Sequence, residues 1–249
     1  QFFTYYEQQQ DNIRAEKVKD LLRKELSGEI NVVFCGHFSA GKSTMINTLS
    51  GENILPTSPI PTSANLVKIK FGTKHYAKFN LQDGRAIYHP APFDLNKIKD
   101  LFKDGEMIHS IEIELPNGNL PKGAVIMDTP GIDSTDQAHK LATESAMHLA
   151  DAVFYVMDYN HVQAEENFLF TKEMQNFGKD VYLIVNMIDK HQEHEIPMET
   201  FKQSVIESFA AWSIYPKGIF YTSLKDFNHP HNNFPQLKEK LVEIFSSVE

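Results

Sequence analysis

Apolar positions along the chain follow two patterns in turn. Short unbroken apolar runs recur: Val32, Val33, Phe34 and Cys35, then 124–127, 152–157 and 181–185, with a further strand expected over 218–222. Runs of this length bounded by turn residues read as strands buried on both faces. Between them, apolar residues recur at helical spacing. Met45, Ile46 and Leu49, closed by Gly51, predict a helix over 42–50. Leu141, Ser145 and Leu149 lie on one face of a helix over 135–150, and further helices are expected over 164–177, capped by Gly178, and 198–212. Leu237, Leu241, Ile244 and Phe245 make a last amphipathic helix. The stretch from 66 to 115 reads differently. Residues 66–71 and 109–115 alternate apolar and polar, as half-buried strands do. Segments 76–81 and 86–88 flank Asp83-Gly84, a hairpin signal, while 94–102 suggests a short helix and Asn117-Gly118 a turn. Residues 1–27 read as a polar helix with a narrow stripe of Val18, Leu21, Leu22 and Leu26, ended by Ser27-Gly28. Residues 52–63 form a loop rich in Pro, Ser and Thr.

Strands alternating with helices predict an α/β sheet, mostly parallel, with helices on both faces. The whole chain, 1–249, reads as a single domain with a flanking helix at each end, 1–27 and 234–249. An apolar content of 41% is enough for a sizeable core. The 24 basic and 33 acidic side chains give a net charge of −9, which argues against a nucleic-acid partner. The single cysteine, Cys35, falls in the first strand, where a core role is expected, so no disulfide within the chain is expected and a reducing compartment is the natural reading. No stretch reaches the length of a membrane span. The chain starts at Gln1 and its first ten residues lack the basic start and apolar middle of a signal peptide, so it reads as a segment of a longer protein.

The candidate chemistry sits where strands end. Gly36, His37, Phe38, Ser39, Ala40, Gly41, Lys42, Ser43 and Thr44 form G-x-x-x-x-G-K-S-T between the first strand and the first helix. That context makes the pattern a phosphate-binding loop. Glycines let the backbone approach phosphate oxygens, and the helix N-terminus aims N–H groups at the anion. Lys42 adds a full charge for the terminal phosphates, and Ser43 offers a hydroxyl to Mg²⁺. Downstream, Asp128-Thr129-Pro130-Gly131 ends a buried strand. Asp128 there can hold Mg²⁺ through water, and the Gly131 N–H can meet a γ-phosphate. Asn186-Met187-Ile188-Asp189 ends another strand, and Asn186, Met187, Asp189 and the adjacent Lys190 are expected to bind the nucleotide. A carboxylate at Asp189 can accept from the guanine N1–H and 2-amino group, a pair adenine lacks, so GTP is expected over ATP. At the end of the last strand, Ser223 and Leu224 are placed to give a backbone N–H to the guanine O6.

Three motifs in this order match the GTPase superfamily, and the residues around them narrow it. The loop 36–44, then Leu55-Pro56 with its Pro/Ser/Thr-rich stretch, then Asp128-Thr129-Pro130-Gly131 resemble the dynamin superfamily, specifically the GTPase domain of bacterial dynamin-like proteins of the DynA type. The extra strands between 66 and 115 fit the enlarged dynamin-type insertions of that P-loop fold. The resemblance implies Mg-dependent hydrolysis of GTP to GDP and phosphate, a homodimer formed through the nucleotide face in a GTP-dependent way, and coupling to membrane remodelling or fusion. It also implies that the flanking helices belong to a neck bundle. Membrane contact would come through regions outside this chain, and the location would be cytoplasmic, at the inner face of the cell membrane. It places the first-switch Mg²⁺ ligand at Thr62 or Ser63, either of which can also act in catalysis with Lys42 and Gly131. Ser39 matches a serine that helps bind a charge-compensating K⁺ or Na⁺. Three positions depart from family patterns: Phe38 replaces a catalytic Gln, Met187 replaces a Lys whose stem covers the base, and Ile132 stands where Ras-like enzymes have a water-orienting Gln. A regulatory switch of the septin or translation-factor kind, needing an external activator, is the alternative.

Two other features invite chemistry and are read more plainly. His191, Glu193, His194 and Glu195 suggest a metal site, but a solvated loop after Asp189 is the expectation. The aromatic start, Phe2, Phe3, Tyr5 and Tyr6, lacks the basic residues of a membrane anchor and is expected to pack in a helical bundle.

Overall fold

The computed structural model describes residues 12–55, 66–94, 108–116, 119–131 and 137–247. It begins with α1 (Asn12–Ser27), β1 (Ile30–Gly36) and α2 (Lys42–Ser50). Four strands follow: β2 (Leu66–Phe71), β3 (Tyr76–Leu81), β4 (Ala86–Pro90) and β5 (Ile108–Leu115). The rest alternates: β6 (Ala124–Asp128), α3 (Gln137–Leu149), β7 (Ala152–Asp158), α4 (Glu165–Asn176), β8 (Asp180–Asn186), α5 (Met198–Ala211), β9 (Gly218–Thr222) and α6 (Phe234–Phe245). Most of the helix expected over 94–102, the turn at Asn117-Gly118 and the aromatic start lie outside the described residues.

The strands form one sheet in the order β4-β3-β5-β2-β6-β1-β7-β8-β9. From β6 through β9 every pairing is parallel. β2 joins β6 antiparallel, and β3 lies antiparallel between β5 and the edge strand β4. The burial patterns explain the difference. Every residue of β1 and β7 is buried, as befits parallel strands covered on both faces, while β2, β3 and β5 bury alternate residues. The expected alternation over 66–71 and 109–115 therefore marks a sheet extension with one wet face.

Two cores flank the sheet. On one face Val32, Phe34, Phe154 and Ile184 pack with Met45, Ile46 and Leu49 of α2 and Leu237, Leu241 and Phe245 of α6. Rings form a row across three strands there, with centroids 5.4 Å apart for Phe34–Phe154 and 4.7 Å for Phe154–Tyr182. The register sets these pairs directly opposite one another. The other face joins Val33, Cys35 and Tyr155 to Met147 of α3, Phe168 of α4 and Phe209 of α5. Burial of a phenylalanine of this kind contributes roughly 1.5–3 kcal/mol.

One expectation about a helix face needs correction. Among the described side chains of α3, Ala146, Met147 and Leu149 are buried and Ser145 is exposed, so the helix turns the first three toward the sheet and the serine away from it. On α1 the stripe stays open, with Leu21, Leu22 and Leu26 exposed. The helix is instead tied by Lys24, whose ammonium donates to the Leu149 carbonyl at 2.9 Å and pairs with Asp151 at 2.6 Å.

Candidate active site

The chain runs from β1 to one side of the sheet and returns beside β1 as β6 before it crosses to the other side at β7. Ligands of open α/β sheets bind where the strand order reverses, outside the carboxyl ends of the strands. The loop 36–44 leaves β1 at that point. Gly36 has a φ of 146° and lies so close to β7 that a Cβ would run into the Val156 carbonyl oxygen. Gly41 has a φ of 82°, and a Cβ there would stand 2.6 Å from the Asn186 side-chain amide. Neither position admits a side chain. Between them Phe38–Ala40 form one 3-10 turn, and α2 starts directly after Gly41.

Lys42 is buried and its ammonium points back across the sheet end. It pairs with the Asp128 carboxylate and donates to the Thr129 carbonyl at 2.6 Å. The side chains of this ion pair are only 8% and 13% exposed, so it is far less screened than a surface pair. Thr129 is tied down in turn, its N–H and hydroxyl both donating to the Phe34 carbonyl at 3.2 Å. The end of β6 is thereby fixed against β1. Burial pushes the Cys35 thiol far above the ordinary range, which leaves it an inert core group.

The third motif closes over the loop from the far side. Asn186 donates its amide to the Ala40 carbonyl at 3.0 Å and accepts from the Thr222 hydroxyl at 3.0 Å. Met187 holds a left-handed conformation at φ 66°, with its Cε near Gly41. Asp189 follows in a 3-10 turn, Ile188–Lys190, and accepts from the Ser223 hydroxyl at 2.8 Å. The Ser223 oxygen also accepts from the N–H groups of Lys225 at 3.2 Å and Asp226 at 3.0 Å. Four segments far apart in the chain thus meet at one edge of the sheet. A buried lysine, two carboxylates and a glycine loop opening onto a helix N-terminus suit a magnesium-bound nucleoside triphosphate.

Residues 32–189 match the Dynamin family. The chain belongs to the dynamin family. It carries that family's GTPase domain on a dynamin-type P-loop GTPase fold. Over 244 residues, 98% of this chain, it is 41% identical to Dynamin-like protein A of Bacillus subtilis (strain 168). It spans only 20% of that relative's length. Bacterial dynamin-like protein of Nostoc punctiforme is 26% identical over 183 residues, 67% of this chain and 26% of that protein. Among solved structures, one described as "An oligomerised bacterial dynamin pair provides a mechanism for the long range sensing and tethering of membranes" superposes with a TM-score of 0.68. At 17% identity it covers 92% of this chain and 36% of its own. A dynamin-family GTPase domain uses GTP and GDP with magnesium. A serine hydroxyl such as that of Ser43 and a carboxylate such as that of Asp128 are the hard oxygen ligands that ion takes, so both residues could hold it.

The dynamin domain brings most of the expected residues together and leaves some outside. Thr62, Ser63 and Ile132 lie outside the described residues. Ser39 and Thr44 are exposed on the loop, and Ser43 and Gly131 are half-buried. Leu224 is half-buried, with its side chain packed against the first core. Lys190, expected to touch the nucleotide, turns its ammonium to Asp158 at 2.6 Å. The solvated-loop expectation holds for Glu193, His194 and Glu195, which are exposed, and fails for His191. The His191 ring is 3% exposed and packs against Tyr159 and Phe201. No cluster of three or more metal-ligating side chains occurs among the described residues.

Sequence reasoning missed Asn47. It is buried in α2, accepts from the N–H groups of Ile54 at 3.1 Å and Leu55 at 2.8 Å, and donates to the Leu55 carbonyl at 2.7 Å. It sets where the chain departs for residues 56–65. The available signal was an amide in a helix between the core positions Ile46 and Leu49.

Proposed function

We propose that this domain binds Mg·GTP at the ends of β1, β6, β8 and β9 and hydrolyses it fastest as a homodimer closed across that face. The observation that carries the reading is the meeting of Lys42, Asp128 and Asp189 at one sheet edge, each held by the contacts given above. Lys42 and the backbone N–H groups of 36–44 would hold the phosphates, with Gly131 N–H at the γ-phosphate. Ser43 and Asp128, with Thr62 or Ser63, would hold the magnesium ion, which offsets the charge that builds up between the β- and γ-phosphates. Asp189 would read guanine, Met187 would cover the base by dispersion, and Ser223 and Leu224 would border it.

Two residues of the sequence support dimerisation. Phe38 and Ile132 occupy positions where relatives orient water with a glutamine, and neither side chain can hydrogen-bond. A partner loop closing over the face would exclude water and hold both switch segments, so that existing donors act in a lower dielectric. Ser39 would hold a K⁺ or Na⁺ that supplies positive charge there. The oligomerised pair and its tethering of membranes, as described for the similar structure, support a paired form and a membrane role. In a longer protein, hydrolysis would drive membrane remodelling or fusion at the inner face of the cell membrane. Segments 1–27 and 234–249 would join this single domain to the remainder through a neck bundle. A net charge of −9 speaks against a nucleic-acid partner.

Light scattering with GDP, GTP and GDP–aluminium fluoride, beside turnover at rising protein concentration, tests this. The expected result is a dimer with the transition-state mimic, turnover per molecule that climbs with concentration, and faster turnover in K⁺ or Na⁺ than in choline. A monomer in every state with flat, slow turnover would overturn it and favour a switch that needs an external activator.

A further inference from the structure

Asp189 sits in a single 3-10 turn, and one hydroxyl on one side would hold it weakly against guanine. The opposite side of that turn is fastened twice. β7 ends at Asp158 and runs into a 3-10 turn, Tyr159–His161, that lies beside Ile188–Lys190. Asp158 pairs with Lys190 at 2.6 Å through one oxygen, and its other oxygen accepts from the Asn160 N–H at 2.8 Å. Next to it, the Tyr159 hydroxyl meets His191 Nδ1 at 2.8 Å. Two consecutive residues of one strand end therefore grip the two residues that follow Asp189.

The second grip has a defined polarity. His191 Nε2 stands 3.1 Å from the Glu193 carboxylate, and a carboxylate only accepts, so Nε2 carries a proton, and in the neutral ring Nδ1 accepts from Tyr159. Glu193 is itself fixed by the Met198 N–H at 3.1 Å, at the start of α5. That bond, reinforced by His191, holds the Glu193 carboxyl below its usual range and keeps it ionised. Burial holds the Tyr159 phenol above its usual range and keeps its proton in place.

We propose that Asp158 with Lys190, and Tyr159 with His191, form a double latch that positions Asp189 for guanine. This inference rests on reading Asp189 as the base-binding carboxylate. These are positioning residues, since neither of the two contacts needs the nucleotide. Two simultaneous bonds to N1–H and the 2-amino group require Asp189 to be held in one orientation. A loosened latch therefore weakens ground state and transition state alike, raising KM with kcat preserved. It also erodes discrimination against inosine triphosphate, which lacks the 2-amino group.

Asp158→Asn, Lys190→Met, their double variant and Tyr159→Phe test the latch, with GDP dissociation constants and KM for GTP and ITP measured on each. Melting curves exclude unfolded protein. The expected result for Asp158→Asn and for Lys190→Met is a rise in the GTP KM and GDP dissociation constant on the order of three- to tenfold, the worth of one hydrogen bond. The preference for GTP over ITP should fall in both, and the double variant should be no worse than either single one. Lys190→Arg should keep the preference. If Asp158→Asn binds normally while Lys190→Met does not, Lys190 touches the nucleotide directly and the latch is wrong. If Tyr159→Phe and Asp158→Asn both leave GTP/ITP discrimination intact in a wild type that prefers guanine over adenine, the inference falls and the site reading stands. A wild type with no guanine preference overturns the site reading itself.

Discussion

Replacing Asn186 with alanine separates a residue that shapes the phosphate loop from one that touches the nucleotide. The amide is 2% exposed, and each of its ends has a partner. Its N–H donates to the Ala40 carbonyl at 3.0 Å inside the phosphate loop, and its oxygen accepts from Thr222 at 3.0 Å on the neighbouring strand. Ala40 and Thr222 are both fully buried, so water cannot replace the lost partner. Each stranded group costs about 1–3 kcal/mol, which puts the loss of stability for Asn186→Ala at roughly 2–4 kcal/mol once partial relaxation is allowed. Thr222→Val strands only the amide oxygen and should cost about 1 kcal/mol. The two losses should not add, because the alanine has already removed the threonine's partner. Part of the loss will fall on the loop, and 1.4 kcal/mol of it weakens nucleotide binding about tenfold. Urea unfolding without nucleotide and titration with a fluorescent GDP read the two effects separately. Stability preserved within about 0.5 kcal/mol while binding collapses would refute the reasoning and place Asn186 on the nucleotide.

Three further outcomes are expected. Lys42→Ala should abolish turnover and strongly weaken GTP binding by calorimetry, since it removes the ammonium that the loop places beside Asp128; unchanged affinity would sink the assignment of the loop. Asp189→Asn should cost GTP on the order of 1–3 kcal/mol, because an amide sets a donor against a guanine donor, and it should gain XTP in competition; a wild type that prefers ATP would contradict it. Cys35 should resist a thiol reagent until urea unfolds the chain. Its pKa is raised in the folded state by burial, so its contribution to stability is full below the ordinary thiol pKa and lost as pH rises above it. Rapid labelling of the folded protein would refute the burial.

The local patterns were legible from the sequence because they depend on neighbours in the chain. Continuous apolar runs over 124–127 and 152–157, short and bounded by turn residues, read as strands covered on both faces, and β6 and β7 formed there. The spacing of Gly36, Gly41 and Lys42 needed only a strand before and a helix after. What lay beyond reach was decided by strand order. Lys42 meets Asp128, 86 residues away, because β6 lies beside β1, and Asn186 meets Ala40, 146 residues away, because β8 follows β7 outward from it. Nothing in a local pattern distinguishes Asn186, whose amide is used by the phosphate loop, from Asp189 three residues on. The same holds for Lys190 and His191. Beside the base-reading motif Lys190 reads as a nucleotide contact and His191 as the start of a solvated loop, and the sequence alone determined no more than that. Only the parallel pairing of β7 with β8, in the register that sets Asp158 opposite Asn186, brings Asp158 and Tyr159 within hydrogen-bonding reach of them.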